Sequence, residues 1–420
     1  MSKKYPLYKT TKSDQWYERA AKVIPAGVYG HLGPAEGQFI PVNRWPRFSD
    51  KAQGTYFWDV DGNKYIDYMC AYGPNVLGYC DPDVDAAALK QIELGNCTTS
   101  PNKVMVECAE LLVDTVNCAD WAFFAKNGND ATSGAIITAR AHTHKKKLIF
   151  FNGFYHGVAP MVQKIDYPGV LPEDVANNLY VDWDDIEGLK KVIAENDDIA
   201  ALIAQPYDHG NFYDNSFPKE GFWQEVRKLC TENGIVLIVD DVRAGFRLDL
   251  AGSDHFFGFE ADIICFCKAL ANGYNMSAFC GKEFLKAAAS SLSYTGSYWM
   301  SAVPFAACIA CINKMKKLDT PKLFKELGTE LTDGLKAAGA EHGFDLVVSG
   351  APALFYMRIA NDDSMLLHQE WIAECVNRGA FFASHHNHFI NAALTHEDIA
   401  TTIEIAEDAF KAVKKNHPEL

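Results

Sequence analysis

The chain holds 420 residues, 48% of them hydrophobic, and carries a formal net charge of −15. That length supplies core for two or three compact units, and so acidic a balance without a compensating basic block argues against nucleic-acid or membrane-surface binding. With no apolar stretch of about 18 residues, no secretory leader in the polar residues 1–15 and twelve scattered cysteines, a cytoplasmic protein with free thiols and no membrane span is expected.

Residues 38–68 predict short antiparallel strands, with a hairpin turn at Asp61-Gly62-Asn63 between Tyr56-Phe57-Trp58 and Tyr65-Ile66. From about Asp83 helices alternate with short apolar runs. Strands are predicted at 122–125, 148–151, 200–204, 236–239, 263–267 and 278–280, and helices at 101–116, 130–142, 218–233 and 301–317. This alternation implies an α/β fold with a mostly parallel sheet covered on both faces. Beyond Leu318 longer helices (321–342, 363–378, 396–415) are separated by short strands near 346–348, 354–359 and 389–391. The expected organisation is an N-terminal segment with a small antiparallel sheet (1–68), a large domain (69–310) and a smaller C-terminal α+β domain (311–420). Strand alternation would put Cys265 and Cys267 on one face.

Two strand ends carry residues that an apolar run does not explain. The run Ile263–Cys267 ends in Lys268; a desolvated lysine amine is poised to form a Schiff base. The run Ile235–Val239 ends in Asp240, a carboxylate that would need a partner such as a protonated ring nitrogen, although a strand-end Asp also caps loops. Asn127-Gly128-Asn129-Asp130 lies between a predicted strand and a predicted helix, where free N–H groups and the helix dipole favour a phosphate; an ordinary N-cap is the alternative. Tyr155, after the strand at 148–151, can stack on a flat ring or simply pack in its loop. Together, all at the carboxyl ends of strands in one sheet, they suit pyridoxal phosphate.

The chain resembles the class III aminotransferases, fold type I pyridoxal-phosphate enzymes, and within them the glutamate-1-semialdehyde aminomutase-like branch. The resemblance spans about residues 24–415. It rests on the run from Phe57 to Tyr68, on Gly73-Pro74-Asn75-Val76-Leu77-Gly78, Asn127 to Ala131, Tyr155-His156-Gly157, Asp240 to Arg247, Lys268 and Gly296-Ser297-Tyr298-Trp299. It implies a large domain with a mostly parallel sheet and a smaller α+β domain built from the N- and C-terminal segments. It makes Lys268 and Asp240 catalytic. Asn127, Gly128, Asn129 and Ser297 would hold the cofactor phosphate, and Tyr155 and Val242 would cover the two ring faces. Arg243, beside the ring oxygen, would touch cofactor or substrate. Ser297 would reach the cofactor of a neighbouring subunit, in a homodimer with shared active sites.

Several positions depart from the family pattern. Gln205-Pro206 stands where many members have Glu-Pro, and residues 383–389 hold no arginine to pair with such a Glu. A substrate-binding arginine is also missing near Tyr29-Gly30-His31-Leu32-Gly33, leaving Arg44 or Arg47 as substitutes. Gln205, His385 and Asn387 are therefore expected to border the substrate. Losing both halves of a buried ion pair is coherent, because either charge alone would be costly. The departures favour a β- or ω-amino donor, for example a 3-amino acid or a 3-aminobutyryl-CoA-like thioester, with 2-oxoglutarate or pyruvate as acceptor. An aminomutase-like isomerase is the alternative. The His385-His386-Asn387-His388 cluster lacks acidic or cysteine partners, and no metal is expected.

Overall fold

The structure, a computed structural model, describes residues 5–28 and 48–418; Arg44, Arg47 and the Tyr29–Gly33 stretch lie outside them. Two compact units result. One comprises the chain up to Asp81, Asn211–Asn215 and the chain from Lys322 onward; the other comprises Pro82–Gly210 and Ser216–Pro321.

The first unit opens with β1 (Ser49–Gln53), β2 (Tyr56–Asp59) and β3 (Lys64–Asp67), an antiparallel meander. The Asp59 carboxylate builds the predicted turn by accepting the N–H groups of Asp61 and Asn63 at 3.0 and 2.9 Å. Its other oxygen accepts the Tyr65 hydroxyl at 2.9 Å, which orients a ring stacked on Phe57 with centroids 4.9 Å apart.

The second unit contains β4 (Trp121–Ala125), β5 (Lys147–Phe151), β6 (Asn178–Val181), β7 (Ile199–Ala204), β8 (Val236–Asp240), β9 (Ile263–Phe266) and β10 (Ser277–Gly281). They form one sheet in the order β4-β10-β9-β8-β7-β5-β6, with only β10 running against its neighbours. Every residue of β7 and β8 is buried, as an uninterrupted apolar run in a doubly covered sheet requires. The helix Gly128–Thr143 lays Ala131, Ala135, Ile136 and Ala139 on Leu148, Ile203, Ile238 and Phe279. It comes so close that a Cβ on Gly134 would fall 2.5 Å from the Phe279 ring. β6 was not predicted; it is a short, partly exposed edge strand with Asn178 and Tyr180 among its four residues and gives no apolar run.

The chain then returns to the first unit, where β11 (Leu346–Ala351), β12 (Leu354–Ile359) and β14 (His388–Phe389) form an antiparallel sheet and β13 (Ala380–Phe381) pairs parallel with β3. The N- and C-terminal segments thus share a sheet.

Register in the second unit sets up the site. Asp240, last in β8, pairs with Cys265 of β9, so Lys268 leaves the sheet at the same carboxyl edge. β9 stops at Phe266, one residue short of the expected end. Cys267 turns away at φ −156°, ψ −140° and begins a short helical turn. Cys265 is buried and Cys267 partly exposed, so the shared strand face expected for the two thiols does not form.

Candidate active site

Asp240 is buried, and its Oδ2 lies 2.8 Å from Nδ1 of His156. Its Oδ1 accepts the Val242 N–H at 3.2 Å. A carboxylate offers about four acceptor sites, so these two partners leave room for a further donor. His156 is itself fixed from behind, since the Thr132 hydroxyl donates to its carbonyl oxygen at 2.8 Å. The sequence had pointed to Tyr155 in this motif; the neighbouring histidine, which the fold carries to Asp240, was not singled out.

Lys268 has φ +35°, a left-handed conformation unusual for a residue with a Cβ. Desolvation, followed by the charge of Arg243, lowers its pKa from 10.5 to about 7. An amine of this kind is substantially neutral near pH 7 and can act as nucleophile and proton carrier.

Asn127 is the N-cap residue of the helix Gly128–Thr143, and its own N–H is held by Asp130 Oδ2 at 2.9 Å. The first-turn N–H groups of Gly128 and Asn129 have no carbonyl within the helix to bond, which suits an anion. The Asn129 side chain is committed elsewhere: its Oδ1 accepts the N–H groups of Val158 and Ala159 at 2.9 and 2.7 Å. That anchors the loop after Tyr155 to the helix start. Gly128 packs against Val242, and a Cβ there would fall 2.7 Å from Val242 Cγ1, so one of the two would have to shift. Val242 is thereby seated against the helix N-terminus, beside Asp240.

Gln205, just past β7, is buried and donates from Nε2 to the Tyr155 carbonyl at 3.0 Å, while its Oε1 finds no protein partner. The Tyr155 side chain stands 55% exposed, available to a flat ring. Arg243 donates from Nη1 to the His209 carbonyl oxygen at 2.7 Å. His209 is wholly buried, with neither ring nitrogen hydrogen-bonded. Burial, then the Arg243 charge, pushes its pKa well below the usual histidine range. Sequence reasoning missed this histidine too.

Ser297 is exposed, on the loop after the helix Glu283–Ser290, with its carbonyl near Cys97 Sγ at 3.7 Å. In the other unit, His385 Nδ1 meets the Ser384 hydroxyl at 2.7 Å, and the Phe212 N–H donates to the His385 carbonyl at 3.2 Å. Asn387 is fully buried, and its carbonyl lies 2.8 Å from His386 Nδ1. His388 Nε2 accepts the Ala383 N–H at 3.1 Å. The rings of His385, His386 and His388 also pack against Phe212, Tyr72 and Phe355, with centroids 5.2, 5.4 and 5.3 Å apart.

A model of the Aminotransferase class-III family matches residues 40–410. This chain belongs to the class-III aminotransferases. It is 38% identical to the aminopentol aminotransferase of Sphingopyxis macrogoltabida across 98% of this chain and 96% of that one. It is 30% identical to the 3-aminobutyryl-CoA aminotransferase of Cloacimonas acidaminovorans (strain Evry) across 97% and 98%. The structure of the FumI protein of Sphingopyxis sp. MTA144, in its PLP internal aldimine form, superposes with a TM-score of 0.93 at 38% identity, covering 98% of each chain. The aminotransferase thus has the fold type I architecture.

Proposed function

We propose that this aminotransferase uses pyridoxal 5'-phosphate to move an amino group from a β- or ω-amino donor to a keto acid such as 2-oxoglutarate or pyruvate. The residues fit that cofactor. The buried Asp240 carboxylate retains acceptor capacity for a ring N–H. The Gly128–Val242 approach leaves a backbone cradle at a helix N-terminus for a phosphate. Tyr155 and Val242 would bound the two faces of the ring.

When bound, pyridoxal phosphate supplies an aldehyde carbon that captures amines and a ring that draws off the electron pair left when a C–H proton departs. Asp240 would hold the ring nitrogen protonated by a charge-assisted hydrogen bond, with His156 Nδ1 orienting its carboxylate. Asn127 caps the helix whose Gly128 and Asn129 N–H groups would take the phosphate. Lys268, its pKa lowered to about 7 by desolvation, would serve as the proton carrier at the reacting carbons.

The donor class rests on Gln205. A buried neutral amide bonded to the Tyr155 carbonyl occupies the position where a buried carboxylate would call for a cationic partner, and Ala383–Phe389 supplies no arginine. The name of one relative agrees, since a 3-aminobutyryl-CoA donor carries its amine on carbon 3 of a thioester. A homodimer is supported by the apolar side chains Leu89, Ile92, Leu94 and Val106, left exposed on the helices Pro82–Leu94 and Lys103–Thr115. From its exposed loop Ser297 would then reach the neighbouring copy's phosphate. The test is single-turnover loss of the cofactor's visible absorbance against α-, β- and ω-amino donors, thioesters included. Faster reaction of 3-amino and ω-amino donors is expected. Equal or faster isomerisation of glutamate-1-semialdehyde, with no keto product released, would replace the transaminase by the aminomutase reading.

A further inference from the structure

His156 is 2% exposed, with Nδ1 on Asp240 Oδ2 and with no protein hydrogen bond to Nε2. Phe150 and Phe154 pack against the imidazole, with ring centroids 5.8 and 6.3 Å away. Such packing confines the ring but does not set the angle of its hydrogen bond. The aim of Nδ1 at Asp240 therefore depends on how the backbone of residues 155–159 is held.

Three side chains hold that backbone. Gln205 donates from Nε2 to the Tyr155 carbonyl at 3.0 Å. It stands level with Asp240 on the neighbouring strand, because Ala204 of β7 pairs with Val239 of β8. Asn129 Oδ1 accepts the N–H groups of Val158 and Ala159. Between these anchors Gly157 runs at φ +120°, so near the helix start that a Cβ on it would fall 2.6 Å from Asn129 Oδ1. Thr132, 1% exposed, reaches the His156 carbonyl with its hydroxyl at 2.8 Å. The carbonyls of Gly128 and Asn129 in its own helix are farther, both at 3.2 Å. A helical threonine ordinarily bonds back to its own helix, as Thr138 does to the Gly134 carbonyl at 2.8 Å. At Thr132 the loop takes the shorter bond.

We propose that Thr132 is a positioning residue for transamination. By holding the His156 carbonyl it keeps Nδ1 on Asp240, and through Asp240 it keeps the cofactor's ring nitrogen protonated. This inference rests on the reading that Asp240 meets that nitrogen. Asn129 and Thr132 both belong to the start of the helix Gly128–Thr143, so one loop ties the phosphate seat to the ring seat.

The experiment uses the holoenzyme loaded with pyridoxal phosphate isotopically labelled at the ring nitrogen, whose protonation is read by nitrogen NMR across a pH series. Thr132→Val keeps the shape and removes the hydroxyl. It should move the pH at which the ring nitrogen loses its proton downward, because a weaker bond to the charged form lowers the pKa. Single turnovers with an amino donor should slow about 3- to 10-fold, the scale of one hydrogen bond. Thr132→Ser should restore most of both. Thr138→Val, which removes a hydroxyl from the same helix away from the loop, should move neither. In a His156→Ala background Thr132→Val should add nothing further. A wild-type nitrogen signal in Thr132→Val would overturn the proposal, as would a loss that adds in full to that of His156→Ala, or an equal shift in Thr138→Val. A ring-nitrogen signal that Asp240→Asn leaves unchanged would remove the Asp240 reading itself, and this inference with it.

Discussion

His156 and Asp240, 84 residues apart in the chain, meet with Nδ1 2.8 Å from Oδ2 inside the Pro82–Pro321 unit. Oδ2 of the carboxylate is thereby fixed, while Oδ1, which accepts the Val242 N–H at 3.2 Å, keeps capacity for a further donor. Replacing His156→Ala should cost on the order of 10- to 100-fold in kcat, the range for a hydrogen bond to a charged group. His156→Asn, which can still donate, should recover part of it. Asp240→Asn should cost more, because it removes the charge itself. Steady-state kinetics and the pH dependence of the cofactor's absorbance test this; an unchanged spectrum and rate in His156→Ala would contradict it.

Lys268 is driven down to about 7 by desolvation and then by Arg243. A lysine is reactive above its pKa. The cofactor-free enzyme should therefore take up pyridoxal phosphate with a rate that rises through a midpoint near 7, far below that of an ordinary lysine. Replacing Arg243→Gln removes a charge that opposes protonation, so the midpoint should move up. Stopped-flow uptake against pH reads both. Borohydride reduction and peptide mapping should place the cofactor on Lys268 and on no other side chain.

Gly128 and Val242 are in contact by necessity. Gly128→Ala would place a methyl 2.7 Å from Val242 Cγ1, displacing either the valine side chain or the N–H groups of the helix start. Cofactor affinity should fall about tenfold or more for a distortion costing 1–3 kcal/mol. The double variant with Val242→Ala should regain part of that loss. Equilibrium dialysis of the four proteins closes the cycle; strictly additive losses would count against the steric account.

Burial, with a weaker contribution to His368 from the charge of His388, holds the pKa values of His368 and His388 at about 3. Both lie below the unfolded value of 6.5, so between about 6.5 and 3 the unfolded chain takes up protons that the folded chain refuses. Stability from these groups is complete above about pH 6.5 and is lost as the pH falls toward 3. Asp241, raised to about 7 by burial, contributes the opposite slope. The measurement is therefore a difference: the Tm of wild type minus that of His368→Gln should shrink as pH is lowered from 7 to 4. A pH-independent difference would show that His368 does not titrate in this way.

Much of the site was legible before the fold was known. Lys268 and Asp240 stand out because each closes an apolar run with a charge that the run does not need. Asn127–Asp130 reads as a helix start because Gly and Asn allow a cap. Weaker patterns failed where tertiary context took over. β6 escaped notice because an edge strand need not be apolar, and Cys267 left its expected face because the chain turns to present Lys268. Nothing local announces that Asn211–Asn215 crosses into the other unit, where Asp214 forms a two-pronged pair with Arg358 at 2.8 and 2.7 Å.

Sequence alone determined the alternation of the main strands and helices, the mostly parallel large sheet and the residue types at the ends of β8 and β9, since burial periodicity and turn chemistry are properties of neighbouring residues. Only the tertiary structure decided that His156 reaches Asp240, that Arg243 is anchored by His209 and that the Lys268 amine loses its proton near neutrality. Pairing across a sheet depends on which strands become neighbours. Desolvation sums over side chains from distant segments, and no local stretch of chain carries that sum.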